Sequence, residues 1–425
     1  MAGSIMKYDT LGALREKSFL YLWIGEIFTQ IPTHLFNFFL ILLVFKITNS
    51  NTAVSGAVLS FTLPAIIFGS VAGVYVDRWD KKKVLIISNV LRAILMVIFI
   101  FFLDNLFMIY LISIIVTILV QFFIPAETPM IPLVVKEKNL LSANALFSLA
   151  IYGSILAAYV LSGPVLIFLK PAKSMLLLAG MLLVGALFIA FIHTKNKRQR
   201  DESLKKPNWM RDVKNTLSLM SRTRAISRSL FLLAMSQILI LIIATIAPGY
   251  SQQIIKIPVE DFPLLFAAPA SLGMIVGAAI LIHKFHSHAK EKMIAFGILL
   301  SGVAMLLLPY GSKVTSRDFV VALNEHLPRI LQINILHIMV VLAFILGIAN
   351  SFVFVSANTI LQEKTTDEVR GKIYGFLNSI VGALSLFPII IAGGLSDIVG
   401  VGIVITGIGV GLFTLGIVWI LTAKN

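Results

Sequence analysis

Long apolar runs alternate with short polar breaks along the whole chain. Runs of about 18–25 residues are long enough to cross a ~30 Å hydrocarbon layer as helices. Twelve are predicted, at roughly 18–45, 53–76, 84–103, 106–133, 143–169, 174–193, 229–253, 262–283, 293–310, 334–360, 373–395 and 400–421. Lipid offers no partner to a free backbone N–H or C=O, so each run is expected to be a helix that closes its own hydrogen bonds. The pattern predicts an all-α integral membrane protein. One break stands out, at 194–228, with eleven Lys and Arg against Asp201, Glu202 and Asp212. It divides the chain into two six-helix halves, 1–193 and 229–425, joined by a basic linker at 194–228. Within it Asn208 to Arg224 is weakly amphipathic, as a segment resting on a membrane surface is, and a plain linker is the favoured reading.

Composition agrees. The 425 residues are 58% hydrophobic and 13% charged, with a mean hydropathy of +0.96. Soluble domains run nearer 45–50% apolar and about 25% charged, so a water-exposed surface is excluded for most of this chain. There are no cysteines, which excludes disulfides and thiolate chemistry. The first 17 residues are polar, with Lys7, Arg15 and Lys17, unlike a secretory signal. The net charge of +15 is a topology signal rather than a nucleic-acid footprint. With both termini placed on the cytoplasmic side, 27 of the 35 Lys and Arg fall in cytoplasmic segments, 7 in external loops, and Arg92 inside a span. The positive-inside rule then predicts a multi-pass protein of the cytoplasmic (inner) membrane with both termini cytoplasmic. Anionic lipid adds to the attraction.

Between the second and third runs stands Gly73-Val74-Tyr75-Val76-Asp77-Arg78-Trp79-Asp80-Lys81-Lys82-Lys83. In sequence and position it resembles the loop signature of the major facilitator superfamily, G-x-x-x-D-R-x-G-R/K-R/K. One departure is Asp80, where the pattern has Gly. A Gly there would allow a left-handed turn, a conformation that Asp tolerates better than most residues do. The resemblance implies two six-helix pseudo-repeats around a central cavity. It also implies a latch on the cytoplasmic side made by Gly73, Asp77, Arg78 and Lys82. A carboxylate at 77 suits the positive end of another helix, and the resembled fold offers helix eleven, beginning near Lys372. In the second half Gly277 matches Gly73, but Leu281 stands where Asp77 does, so the latch is expected in the first half alone.

Further patches resemble the macrolide-efflux-like branch of the drug exporters: Pro125-Ala126, Pro132 to Val135, Ser142 to Leu146, Gly163-Pro164 and Val369 to Lys372. Many proton-driven exporters carry an Arg in helix four where this chain has Val116, and a Gly pair where Ile167-Phe168 stand.

Two acids fall within the predicted spans, Glu26 and Glu127. Charge at the bilayer centre costs several kcal/mol and therefore points to function. Glu26 lies about 12 Å into its helix at 1.5 Å per residue. Gln30, Thr33 and Asn37 share its face by helical spacing, with His34 beside it. This face is expected to line a cavity or another helix, and to bind a cationic substrate or exchange a proton. Glu127, among Pro125, Pro129 and Pro132, is a possible gate or an interfacial acid; Arg92 is expected to be structural. Gln121 with Thr117, Gln237 with Thr245, and Asn350 with Asn358 are further cavity candidates, the remainder being apolar and aromatic. Such a lining suits an amphipathic organic molecule better than a sugar.

No phosphate-binding loop is present, and His283, His286 and His288 read as a solvated loop rather than a metal site. The expected function is therefore a secondary active transporter exporting amphipathic small molecules, with no cofactor, driven by a proton gradient, working as a monomer in the bilayer. A lysophospholipid or siderophore transporter of the same superfamily is the alternative. A membrane-embedded enzyme would need a His/Asp or Ser/His group at one depth. A transporter-like receptor would favour a large soluble domain. Neither feature is found.

Overall fold

The computed structural model describes residues 12–76, 78–136, 139–193, 224–284, 290–311, 313, 317–326, 332–365 and 367–422. Among the described residues, twelve long helices carry the fold. They are α1 (Lys17–Thr48), α2 (Asn51–Val76), α3 (Lys81–Phe99), α4 (Leu106–Glu127), α5 (Leu140–Phe168) and α6 (Pro171–Ala190), then α7 (Arg224–Tyr250), α8 (Ala268–Lys284), α9 (Lys290–Leu307), α10 (Ile335–Glu363), α11 (Asp367–Val399) and α12 (Val401–Thr422). No strand occurs among the described residues. Each predicted run overlaps one of these helices for most of its length.

Helix ends follow local chemistry more than hydropathy. Asn105 caps α4 by accepting from Met108 N, and Asn334 caps α10 by accepting from His337 N. Asp80 opens the third helix without a left-handed turn. Its backbone is extended, with φ −67° and ψ 105°, and its side chain accepts from Lys83 N at 3.3 Å. It is the N-cap of α3 rather than a left-handed turn, because a short carboxylate satisfies one of the first N–H groups of the helix. Gly400, at φ +90°, turns the chain between α11 and α12 where a side chain would be strained. Two π-helical turns, Ser251–Ile255 and Pro263–Ala267, flank the connection from α7 to α8.

The chain divides into two compact units, Met1–Leu40 with Ser60–Leu204, and Ile41–Leu59 with Lys205–Asn425. The connection between α1 and α2, with the adjoining helix ends, thus belongs to the second unit. The core of the first unit joins Phe19, Leu22, Leu85, Phe123 and Met130. Trp23 Nε1 ties α1 to α5 through the Leu146 carbonyl at 2.8 Å, and Ser60 ties α2 to α4 through Ser113 at 2.8 Å. In the second unit α8 and α10 cross so closely that backbone meets backbone. A Cβ on Gly347 would stand 1.9 Å from the Ala270 carbonyl oxygen, and one on Gly273 2.0 Å from that of Phe344. Small residues let helices approach in this way where no hydrophobic force drives them together. Large apolar side chains such as Phe101, Phe168, Phe387 and Ile398 point outward, as a lipid-facing surface requires.

Candidate functional site

The polar stripe of α1 is turned into its own unit. Glu26 is 1% exposed, and its Oε1 accepts from Gln30 Nε2 at 2.6 Å, one helical turn on. Thr29 Oγ1 donates to the Gly25 carbonyl and accepts from Asn89 Nδ2, both at 2.8 Å. Thr33 Oγ1 donates to the Thr29 carbonyl at 2.6 Å and accepts from Arg92 at 2.9 Å. The close approach of α6 allows this packing. A Cβ on Gly185 would come within 3.0 Å of Thr29 Oγ1, and one on Gly25 within 2.8 Å of Ile189.

Arg92 is the largest fully buried side chain among the described residues. It donates to the Ser88 carbonyl, to Asn89 Oδ1 and to Thr33 Oγ1, and lies 5.0 Å from the centre of the Phe123 ring. Its charge acts on both Glu26 and Glu127. Glu127 ends α4, where Pro125 and the following turn Thr128–Met130 break the helix. The same break brings its carboxyl inward, 5% exposed, toward that of Glu26. Its Oε2 has no protein partner. Glu26, Glu127 and Arg92 therefore form one buried group, which the sequence had presented as three separate residues. Asn89 and Thr29 complete it and were missed. Their signal was present, since Thr29 lies three residues from Glu26 and Asn89 three residues from Arg92, each on a shared helical face.

Two carboxyls brought together can share a hydrogen bond only when one of them holds a proton, since two carboxylates are both acceptors. The group is then neutral overall: one guanidinium, one carboxylate and one carboxyl. It has the parts to take up or release a single proton.

Other candidates are placed as follows. His34 and Asn37 are half-buried on α1, and Gln121 is half-buried on α4, its Oε1 3.5 Å from where a Cβ on Gly69 would lie. In the second unit Asn350 accepts from Ser236 Oγ and contacts Met274 Sδ at 3.8 Å, joining α10 to α7 and α8. Gln237 and Asn358 are half-buried, and Thr245 donates to the Leu241 carbonyl in its own helix. The surroundings of Gly73, and Asp77 itself, lie outside the described residues. Arg78 is exposed, and Lys82 Nζ reaches the Ile192 carbonyl past the end of α6 at 2.8 Å. That lysine thus serves the negative end of a helix in its own unit. The loop histidines His286 and His288 also lie outside the described residues.

Comparison with known proteins bears on the whole chain. The model of the Major Facilitator Superfamily matches residues 22–378. Macrolide efflux protein A of Streptococcus pyogenes is 23% identical over 396 residues, covering 90% of each chain. The MFS-type transporter YfiS of Bacillus subtilis (strain 168) is 22% identical over 391 residues, covering 91% of this chain and 88% of its own. The crystal structure of the nucleoside transporter NupG superposes with a TM-score of 0.73 at 10% identity, covering 96% of this chain and 99% of that one. A family match over most of the length, eleven to twelve helices among the described residues long and apolar enough to cross a membrane, and a shared fold agree: this chain belongs to the major facilitator superfamily of membrane transporters.

Proposed function

We propose that this protein exports amphipathic small molecules across the cytoplasmic membrane, exchanging them for protons held by Glu26 and Glu127. The observation that carries the reading is the burial of two carboxyls, Glu26 and Glu127, together with Arg92 in one unit. With its proton the group is neutral. Without it a net negative charge remains in a site shut from water, which is costly. Proton release therefore needs a change at the site, either hydration as the halves rock about a midplane site or the approach of a cationic substrate.

The efflux proteins among the relatives support export. The apolar and aromatic character of α1, α4, α7 and α10 supports an amphipathic substrate. The distribution of Lys and Arg supports cytoplasmic termini. On that orientation the loop from α2 to α3 is cytoplasmic and the connection between α1 and α2 is external.

The test is transport by purified protein in liposomes under an imposed pH gradient, with cationic dyes, macrolides and fluorescent lysolipids as probes. Gradient-driven movement of a dye or macrolide is expected. Glu127→Gln and Glu26→Gln should each weaken the response to the gradient by roughly 5- to 150-fold, the usual range of coupling between two sites. Full gradient-driven transport in both variants would sink the proton assignment. Movement of lysolipid alone, indifferent to the gradient, would make the protein a lipid facilitator instead.

A further inference from the structure

Asp397 stands in the last turn of α11, where the sequence had placed a loop. Its carboxylate is occupied at both oxygens by the start of α2. Oδ2 accepts from Ser50 Oγ at 2.6 Å, from Thr52 N at 2.9 Å and from Thr52 Oγ1 at 2.7 Å. Oδ1 accepts from Asn51 N at 2.8 Å and Asn51 Nδ2 at 2.9 Å. The first N–H groups of a helix have no partner within it, and the dipole favours an anion there. Such a cap normally comes from the adjoining residue. Here it comes from another helix, 346 positions away.

The surrounding surfaces are shaped for this contact. Asn51 is fully buried. A Cβ on Gly393 would meet Ser55 Oγ at 2.0 Å and the Asn51 carbonyl at 2.6 Å, and one on Gly249 would meet the Asn51 amide at 2.5 Å. Ser55 Oγ donates to the Ile389 carbonyl at 2.9 Å, and Lys46 pairs with Glu260 at 3.0 Å nearby. Residues 41–59 are thereby held in the unit of α7–α12 rather than with the rest of α1 and α2. Two features suit the contact to release. Asp397 and Thr52 border solvent, so water can replace their bonds. Asn51 Oδ1 is buried without a partner, a cost that opening would remove.

From this geometry we infer that Asp397 is a positioning residue of transport. It is an external latch that docks the start of α2 on α11 and α7 while the path is shut to the outside, and lets it go when the path opens outward. The inference rests on alternating access and on the orientation proposed above. It does not depend on substrate or coupling ion.

The absence of cysteine allows a direct test. Spin labels at Ile47→Cys and Val321→Cys, both exposed positions, report the distance from the α1 end to the connection between α9 and α10. A pair at Val321→Cys and Ile403→Cys serves as control inside α7–α12. In nanodiscs the parent is expected to give one dominant short distance for the first pair. Asp397→Asn should raise the ratio of long to short distances by about tenfold or more, the scale of charge-assisted bonds, and leave the control pair unchanged. Ser50→Ala with Thr52→Val, which keeps the backbone bonds, should shift the same ratio less, and decides the matter if Asp397→Asn does not fold. An unchanged ratio, or a control pair that broadens equally, overturns the latch. Gradient-driven export persisting alongside that result leaves the proton reading standing.

Discussion

Arg92→Met is expected to lower stability by about 3–5 kcal/mol, the range for breaking a buried charge group by removing one partner. The side chain is wholly buried and its charge acts on two carboxyls. With it gone, the Glu26–Glu127 pair retains one proton and one unbalanced negative charge. Neutrality then demands a second proton, taken up at a cost near pH 7. Adding Glu26→Gln to the same chain restores a group that is neutral with a single proton. Arg92→Met/Glu26→Gln should therefore recover most of the loss, although it removes one more native group. Unfolding of both variants in mixed micelles by SDS titration measures the difference. A double variant that unfolds before the single would show that packing against Phe123, not charge, makes Arg92 necessary.

The second large effect concerns the crossing of α8 and α10. Gly347→Val should cost about 3 kcal/mol or more, at the upper end of overpacking penalties. The added carbon would meet the Ala270 carbonyl at 1.9 Å, and the opposing Gly273 leaves no slack because it makes the same contact with Phe344. A flexible side chain could yield; a backbone carbonyl moves only with its helix. Thermal melting followed by size-exclusion chromatography in detergent should show a strongly reduced folded peak. Gly407→Val on α12, where a Cβ would find open space, is the matched control and should behave as the parent does. Equal loss in both would trace the effect to valine in a helix rather than to the crossing.

The helices are legible because lipid enforces one rule over about 20 residues at a time. That rule stops at the water boundary. The run predicted at 373–395 continues as α11 from Asp367 to Val399, since polar residues in water carry a helix as readily as apolar ones in lipid. The π-helical turns beside the α7–α8 connection leave no hydropathy signal at all.

At the site, Glu26 and Gln30 are legible as a pair by their spacing within one helix. Arg92 and Glu127 are each legible as charges out of place. Their meeting is not, because it depends on the depth and rotation of three helices packed together. Asp397 was hidden for a different reason. It lies at a helix end, where an acid attracts no notice, and its partners come from the far end of the chain. A cluster such as Ser50-Asn51-Thr52 opening an apolar run marks a helix start, but it does not reveal which residue completes the cap.

The Asp397 cap also fixes an order of events in synthesis. A ribosome adding about 5–20 residues per second makes Asp397 roughly 20–70 s after Asn51. During that interval the start of α2 must be satisfied by water or headgroups. The contact is therefore among the last to form on the nascent chain. A chain stalled before α11 would carry all six helices of its first half and still lack the bond that ties the turn between α1 and α2 in place.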